Sequence, residues 1–167
     1  MGELAVAGTV GDELVAIGLG SCIGLALVDR AANVAGLAHV VLPDSQGQQV
    51  PRAKFADTAV PELIACVLAA GALRRRLEAV LIGGARMFSV GASLDVGARN
   101  AEAVREALGR ERIRIHVEEV GGNRGRTARV IIGTEITSQL AGGPRTSLLS
   151  FGPQRPGSTL RTVGALR

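Results

Sequence analysis

The sequence has no tryptophan and no tyrosine, and its three phenylalanines bring the aromatic content to only 2% of 167 residues. Proteins that bind single-stranded nucleic acids usually stack the bases on aromatic side chains, so this scarcity argues against that class. The formal net charge of +4 comes partly from arginines near the end of the chain, Arg145, Arg155, Arg161 and Arg167. A solvated surface explains these arginines as well as a binding patch does. We therefore predict no nucleic-acid partner, while an acidic protein partner stays open.

Long apolar runs are also missing: no stretch approaches the roughly 18 residues of a transmembrane helix. The first residues, 1–4, lack the positive charge of a signal peptide. We expect a cytoplasmic protein with no membrane insertion. Its two cysteines, Cys22 and Cys66, are too few for a disulfide scaffold. No pair of His or Cys has metal-ligand spacing, and no Lys-Ser/Thr pair follows the Gly18–Ser21 turn, so we predict neither metal nor cofactor.

The chain is of a length that suits one domain. Apolar runs predict six strands, at Leu14–Ile17, Ile23–Val28, Gly36–Leu42, Leu77–Ile82, Ile113–Val117 and Ala128–Ile132. Helical periodicity predicts one helix from Asp57-Thr58 to Gly71 and a second from about Asn100 to Leu108. An exposed loop is expected from Asp44 to Lys54. From residue 141 the composition shifts to Gly, Pro, Ser, Thr and Arg, which predicts a folded domain over 1–140 and a disordered basic tail over 141–167.

Cys22 is the strongest candidate for a nucleophile. It follows Gly18-Leu19-Gly20-Ser21, and such a glycine turn can aim backbone amides at one point, as an oxyanion hole requires. His39 lies in the next predicted strand, where a strand, a turn and a returning strand can bring the two side by side. A lone histidine in an apolar strand is more often a hydrogen-bonded core residue than a catalytic one. Because a cysteine after a glycine turn is expected nearby, we weigh a role as general base equally with a core role for His39. We expect Cys22 to be a thiolate of low pKa.

The other cysteine and histidine fit a site less well. Cys66 falls in the middle of a predicted helix, off its apolar stripe, and no glycine turn precedes it. His116 alternates with Arg112 and Arg114 on the polar side of a strand, where a solvated role is favoured. Residue types and spacing alone therefore indicate a possible Cys/His hydrolase and go no further.

Six segments resemble the CheD family of chemoreceptor glutamine deamidases, in family order. They are Gly18-Leu19-Gly20-Ser21-Cys22-Ile23-Gly24, Ala38-His39-Val40-Val41-Leu42-Pro43-Asp44-Ser45, Lys54-Phe55-Ala56-Asp57-Thr58-Ala59-Val60, Gly83-Gly84-Ala85-x-Met87-Phe88, Gly97-Ala98-Arg99-Asn100 and Gly121-Gly122-Asn123-Arg124-Gly125-Arg126. The resemblance implies hydrolysis of glutamine side chains to glutamate on the helical cytoplasmic domain of methyl-accepting chemoreceptors. It also implies a second partner, a CheC-type phosphatase. The implied fold is α+β, two mixed β-sheets packed face to face with helices on the outside, as in cytotoxic necrotizing factor-like cysteine hydrolases.

One position departs from the family pattern. The third catalytic residue of the family is a threonine six positions before the cysteine, and this chain has Ala16 there. In the related toxins a backbone carbonyl orients the histidine, so we expect a carbonyl or a water to replace the hydroxyl here. The resemblance implies a thioester mechanism with Cys22 as nucleophile and His39 as base, in which amides near Ser21 and Cys22 hold the oxyanion and Gly20 and Ser21 are the oxyanion and supporting residues. The alternative is a catalytically weakened, CheD-like module that binds and regulates the CheC phosphatase.

Overall fold

The computed structural model describes residues 1–47, 52–87 and 95–152, and it arranges them as two sheets and two α-helices. Nine strands are present in this part of the chain. They are β1 (Leu4–Ala7), β2 (Glu13–Leu19), β3 (Ile23–Asp29), β4 (Val34–Val40), β5 (Glu78–Gly83), β6 (Arg114–Val120), β7 (Arg126–Ile131), β8 (Glu135–Leu140) and β9 (Arg145–Ser150). The helices are α1 (Ala56–Ala69) and α2 (Val96–Arg110), and short 3₁₀ turns cover Arg52–Lys54 and Arg74–Arg76.

The larger sheet has the order β1-β4-β3-β5-β6 and is mixed, because β5 and β6 run parallel while the other pairs are antiparallel. β3 is at its centre, and all seven of its residues are buried. A strand covered on both faces needs apolar residues at every position rather than alternating ones. The uninterrupted run from Ile23 to Val28 meets that need, so its prediction as a doubly covered strand is confirmed.

Both helices pack on one face of the larger sheet. Their apolar stripes form one core with one face of β3. This core includes Leu63 and Val67 of α1, Val104 and Leu108 of α2, and Ile23, Leu25 and Leu27 of β3. α2 starts four residues before the predicted Asn100, because the Asp95 carboxylate caps it by accepting from the Ala98 amide at 3.0 Å. The helices therefore form an outer layer on one side only.

The smaller sheet, β2-β7-β8-β9, is antiparallel throughout and covers the opposite face of the larger sheet. A second core fills the space between the sheets, with Ala26 and Val28 of β3 facing Leu14 and Ala16 of β2. The α+β class and the two facing sheets are as expected. The expectation of two mixed sheets is wrong for the smaller one.

Three strands were missing from the expectations. β1 has only four residues, and β8 and β9 mix polar with apolar side chains, so neither gives a clear periodic signal. The disordered tail predicted from residue 141 is wrong for 145–150, since β9 pairs with β8 from Glu135↔Ser150 to Gln139↔Arg145. The rest of that predicted tail, 153–167, lies outside the described residues, as do Phe88 of the fourth motif and 48–51 of the predicted loop.

Candidate active site

The hairpin of β3 and β4 brings Cys22 and His39 to the same place. His39 pairs directly with Gly24, and Ile23 pairs with Val40. Cys22 comes one residue before β3, so its side chain points to the face that Gly24 and His39 share, one diagonal position from His39. Cys22 is 8% exposed and belongs to the core between the sheets. The register therefore brings the start of the strand that follows Cys22 against the end of the His39 strand, as the predicted hairpin requires.

Three consecutive carbonyl groups around Cys22 are held by hydrogen bonds from elsewhere in the chain. The Ala85 amide donates to Gly20 O at 2.7 Å, and the Gly84 amide donates to Cys22 O at 2.8 Å. Between them, Ser21 O accepts from the Asn100 side chain at 2.9 Å. The backbone at the candidate nucleophile is therefore fixed residue by residue. A fixed backbone is what an oxyanion hole built from the amides of Ser21 and Cys22 would require.

Gly83 makes this close packing possible. A Cβ on Gly83 would lie 2.3 Å from the carbonyl oxygen of Cys22. The φ of Gly83 is +118°, a conformation that residues other than glycine rarely adopt. Its neighbour Gly84 approaches α2 in the same way, since a Cβ there would lie 3.1 Å from Gly97 O. The glycine pair thus lets β5, the Cys22 turn and the start of α2 meet with backbone against backbone.

Burial acts on both members of the pair in the direction that keeps them uncharged. It raises the pKa of the Cys22 thiol above its ordinary value and lowers the pKa of the His39 imidazole. The direction of the Cys22 shift is opposite to the low pKa that the sequence suggested for this thiol. A neutral thiol beside a neutral imidazole suits a base that takes the proton as the sulfur attacks.

His39 Nε2 is buried and forms no hydrogen bond with any residue the structure describes. Among the described residues, no backbone carbonyl therefore accepts a hydrogen bond from His39 Nε2, whereas one was expected in place of the threonine hydroxyl. Ala16 is 1% exposed and lies in the same core layer. It pairs with Ala128, whose Cβ lies 3.4 Å from where a Cβ of Gly24 would be, and Gly24 pairs with His39. Position 16 is therefore in the layer between the sheets, on the side of the larger sheet where Gly24 pairs with His39.

The two other candidates lie apart from this pair. Cys66 is a free, partly buried thiol on α1, which covers the opposite face of the larger sheet. His116 is exposed on β6, with Nδ1 3.5 Å from the Glu78 carboxylate. Among the described residues, no group of three or more His, Cys, Asp or Glu side chains could hold a metal ion. In the same residues, no helix is both long and apolar enough to cross a membrane.

Sequence reasoning missed Asn100 as a site residue, although it noted the segment that contains it. Asn100 is fully buried, and its Nδ2 donates to Ser21 O and to Val41 O, each at 2.9 Å. A buried asparagine in a helix of otherwise apolar buried positions is the signal that could have found it, because such a side chain needs hydrogen-bond partners.

A family model described as CheD chemotactic sensory transduction matches residues 41–138, more than half of the chain. A protein of Symbiobacterium thermophilum named probable chemoreceptor glutamine deamidase CheD is 49% identical over 140 residues, which cover 80% of this chain and 85% of that protein. The chain belongs to the CheD family. The matched span of the family model begins two residues after His39, so membership does not by itself assign the Cys22–His39 pair.

Other members of the CheD family are similar to this chain at the same level. A protein of the same name from Clostridium botulinum strain Alaska E43 is 51% identical over 120 residues, 69% of this chain and 74% of that protein. A protein of Halalkalibacterium halodurans named chemoreceptor glutamine deamidase CheD is 47% identical over 116 residues, 66% of this chain and 72% of that protein. The names of these relatives state a deamidase activity, which is the basis of the function proposed for this chain.

Proposed function

We propose that this CheD family member hydrolyses glutamine side chains to glutamate on the helical cytoplasmic domain of methyl-accepting chemoreceptors and so contributes to chemotaxis. The single observation that supports the proposal is the β3–β4 pairing, in which His39 pairs with Gly24, two residues after Cys22, next to a turn whose carbonyls are held by hydrogen bonds. The names of the relatives supply the substrate class. We further propose that the two-sheet fold is that of the cytotoxic necrotizing factor-like cysteine hydrolases.

The first step is acyl transfer to sulfur. His39 takes the proton of the Cys22 thiol as the sulfur attacks the glutamine Cδ carbon, which forms a C–S bond. The oxygen of the tetrahedral intermediate accepts from the amides of Ser21 and Cys22. His39 then gives its proton to the leaving nitrogen, the C–N bond breaks, and ammonia departs from a glutamyl thioester.

The second step is hydrolysis of that thioester. His39, neutral again, takes a proton from water while the water oxygen attacks the same carbon. The C–S bond breaks, the thiolate recovers the proton from His39, and the product is a glutamate side chain. No electrons enter or leave, so the cycle as written uses no redox cofactor.

The direction of the pKa shifts supports this order of events. A base must be unprotonated to accept a proton, and burial lowers the pKa of His39 so that it is neutral at neutral pH. The buried thiol has a raised pKa and depends on that base for ionisation. Proton transfer is therefore coupled to attack on the substrate.

The test is mass spectrometry of a receptor cytoplasmic fragment after incubation with the protein, which detects the exchange of amide for acid at each glutamine. Wild type should convert specific glutamines, and Cys22→Ala should convert none. His39→Gln roughly preserves volume but removes the base, so its rate should fall by about 10²–10⁴. Cys66→Ala is the matched control and should act like wild type. Deamidation by the Cys22→Ala protein at the wild-type rate would contradict the assignment.

A second candidate function follows from Ala16. Because His39 Nε2 has no partner among the described residues and position 16 carries no hydroxyl, the base is held less firmly than the family pattern implies. Such a protein could serve as a binding module that regulates a CheC-type phosphatase. It would bind that phosphatase and leave receptor glutamines intact, and the mass spectrometry separates the two.

A further inference from the structure

Asn100 reaches from α2 into the candidate active site. It is the fifth residue of the helix, and its side chain is completely buried. Its side-chain amide bridges two segments that are far apart in sequence, with Nδ2 2.9 Å from Ser21 O and 2.9 Å from Val41 O. One of these carbonyls directly precedes Cys22, and the other lies two residues after His39.

The bond to Ser21 O fixes the direction of the Cys22 amide. The Ser21 carbonyl and the Cys22 N–H belong to the same peptide unit, which is planar and trans, so they point in opposite directions. Holding the oxygen toward α2 therefore turns the Cys22 N–H away from α2, toward the side of the larger sheet that carries Cys22 and His39. When the carbonyl of a peptide unit accepts a hydrogen bond, the N–H of the same unit is polarised and becomes a better donor.

The bond to Val41 O ties the other member of the pair to the same point. β4 ends at Val40, and the chain then turns away, with the amides of Val41 and Leu42 both donating to Lys54 O. Asn100 holds this turn against the Cys22 turn from the helix side of the sheet. One side chain thereby fixes how the end of the His39 strand and the start of the Cys22 strand lie relative to each other.

The chemistry of the side chain argues for a role beyond filling the core. Asn100 Oδ1 is buried and accepts no hydrogen bond from any described residue. Asparagine also disfavours a helix interior, and its helical neighbours on this face, Ala101 and Val104, are apolar. The position uses only the donor half of the amide, and both bonds go to the turns that carry the candidate site.

We propose that Asn100 is a positioning residue of this site, which aims the Cys22 amide as an oxyanion donor and holds the Cys22 turn in register with His39. The inference rests on the proposed function. Its consequence is that losing the two hydrogen bonds should impair the chemical step far more than substrate binding.

The test compares Asn100→Leu, which has similar volume but no donor, with Val104→Ala, a matched control on the same helix and in the same core. Asn100→Ser, whose short hydroxyl cannot bridge both carbonyls, is the second variant in case the leucine protein does not fold. All are made in the full chain with Cys66→Ala, so that iodoacetamide labels only Cys22. Thermal melts set an assay temperature at which every protein is folded.

For Asn100→Leu we expect kcat for receptor deamidation to fall about 10- to 100-fold, the cost of small misplacements at a reacting centre, with KM little changed. Cys22 alkylation at neutral pH should also slow toward the rate of His39→Gln. Val104→Ala should lose stability but keep both rates. If the folded Asn100 variants match Val104→Ala in kcat and in alkylation rate, Asn100 is only structural. If wild type does not deamidate the receptor, the proposed function fails, while the alkylation rates still decide the role of Asn100.

Discussion

Replacing Ala16 by threonine should raise the rate of deamidation. Position 16 is in the layer between the sheets, across from the strand that carries His39, and His39 Nε2 has no hydrogen-bond partner among the described residues. A threonine hydroxyl there should accept from the imidazole N–H and restrict its rotation. A better-oriented base removes the Cys22 proton in a larger fraction of encounters.

The size of the gain follows from one hydrogen bond. A neutral hydrogen bond contributes about 0.5–1.5 kcal/mol net. If that free energy appears in the transition state, the rate rises about 2- to 12-fold, since 1.36 kcal/mol corresponds to a factor of ten. Against this stands the added volume, because Ala16 is 1% exposed and inserting side-chain atoms into a packed core costs about 1–3 kcal/mol of stability.

Ala16→Val separates the two effects. Valine and threonine have nearly the same shape, so the packing cost is shared and the hydroxyl is the difference. We expect Ala16→Thr to exceed both wild type and Ala16→Val in kcat, measured by mass spectrometry of the receptor fragment, and to melt above Ala16→Val. Equal rates for the threonine and valine proteins would refute the reasoning, since the hydroxyl would then do nothing for the base.

Three further predictions follow from the structure. Because burial lowers the pKa of His39, kcat/KM should fall with acid only below the ordinary histidine value of about 6.5, and His39→Gln should lack this limb of the pH–rate profile. Gly83→Ala should lower both melting temperature and activity, whereas Gly109→Ala, with nothing within 4 Å, should stabilise by about 0.5–1 kcal/mol in urea unfolding. Burial would raise the pKa of the Asp29 carboxyl, but hydrogen bonds from Arg76 and from backbone amides outweigh it and lower the pKa. The ionised carboxylate should therefore stabilise the fold fully above about pH 3.9, and this stabilisation should be lost as the pH falls through the lowered pKa. In urea unfolding, Asp29→Asn should make the free energy of unfolding depend less on pH in this acidic range.

The central strands could be predicted because their burial leaves a strong sequence signal. Every residue of β3 is buried, so the run from Ile23 to Val28 is apolar throughout, and the stripe of α1 repeats with helical period. β8 and β9 could not be found in this way. They lie at one side of the smaller sheet, and β9 is mostly exposed, so the pairing that stabilises it is between backbone groups that leave no pattern in the side chains.

The candidate site likewise has a part that the sequence could predict and a part that it could not. Cys22 and His39 were predictable from residue type and from a hairpin that any two adjacent strands can form. The support around them was not, because Gly83, Ala85 and Asn100 act on the Cys22 turn across 61 residues or more of sequence. A single amino-acid sequence does not show that the C-terminal end of β5 and the N-terminal part of α2 meet at the Cys22 turn. Burial also raises the pKa of the Cys22 thiol, opposite to the expected direction, because burial can be judged only once the surrounding elements are in place.

The directions of the two pKa shifts give the hydrogen bonds around the Cys22 turn a role in the proposed mechanism. A preformed thiolate would attack any accessible electrophile, whereas a buried thiol with raised pKa gains reactivity only when a base and an oxyanion site act together on a bound amide. In the proposed mechanism those two elements come from different parts of the fold, since the base is on β4 and the oxyanion donors are in the turn before β3. Their relative placement is set by the Gly83–Ala85 backbone on one side and by Asn100 on the other. Under the proposed function, selectivity for a receptor glutamine is expected to depend on these hydrogen bonds as much as on the reactivity of Cys22 itself.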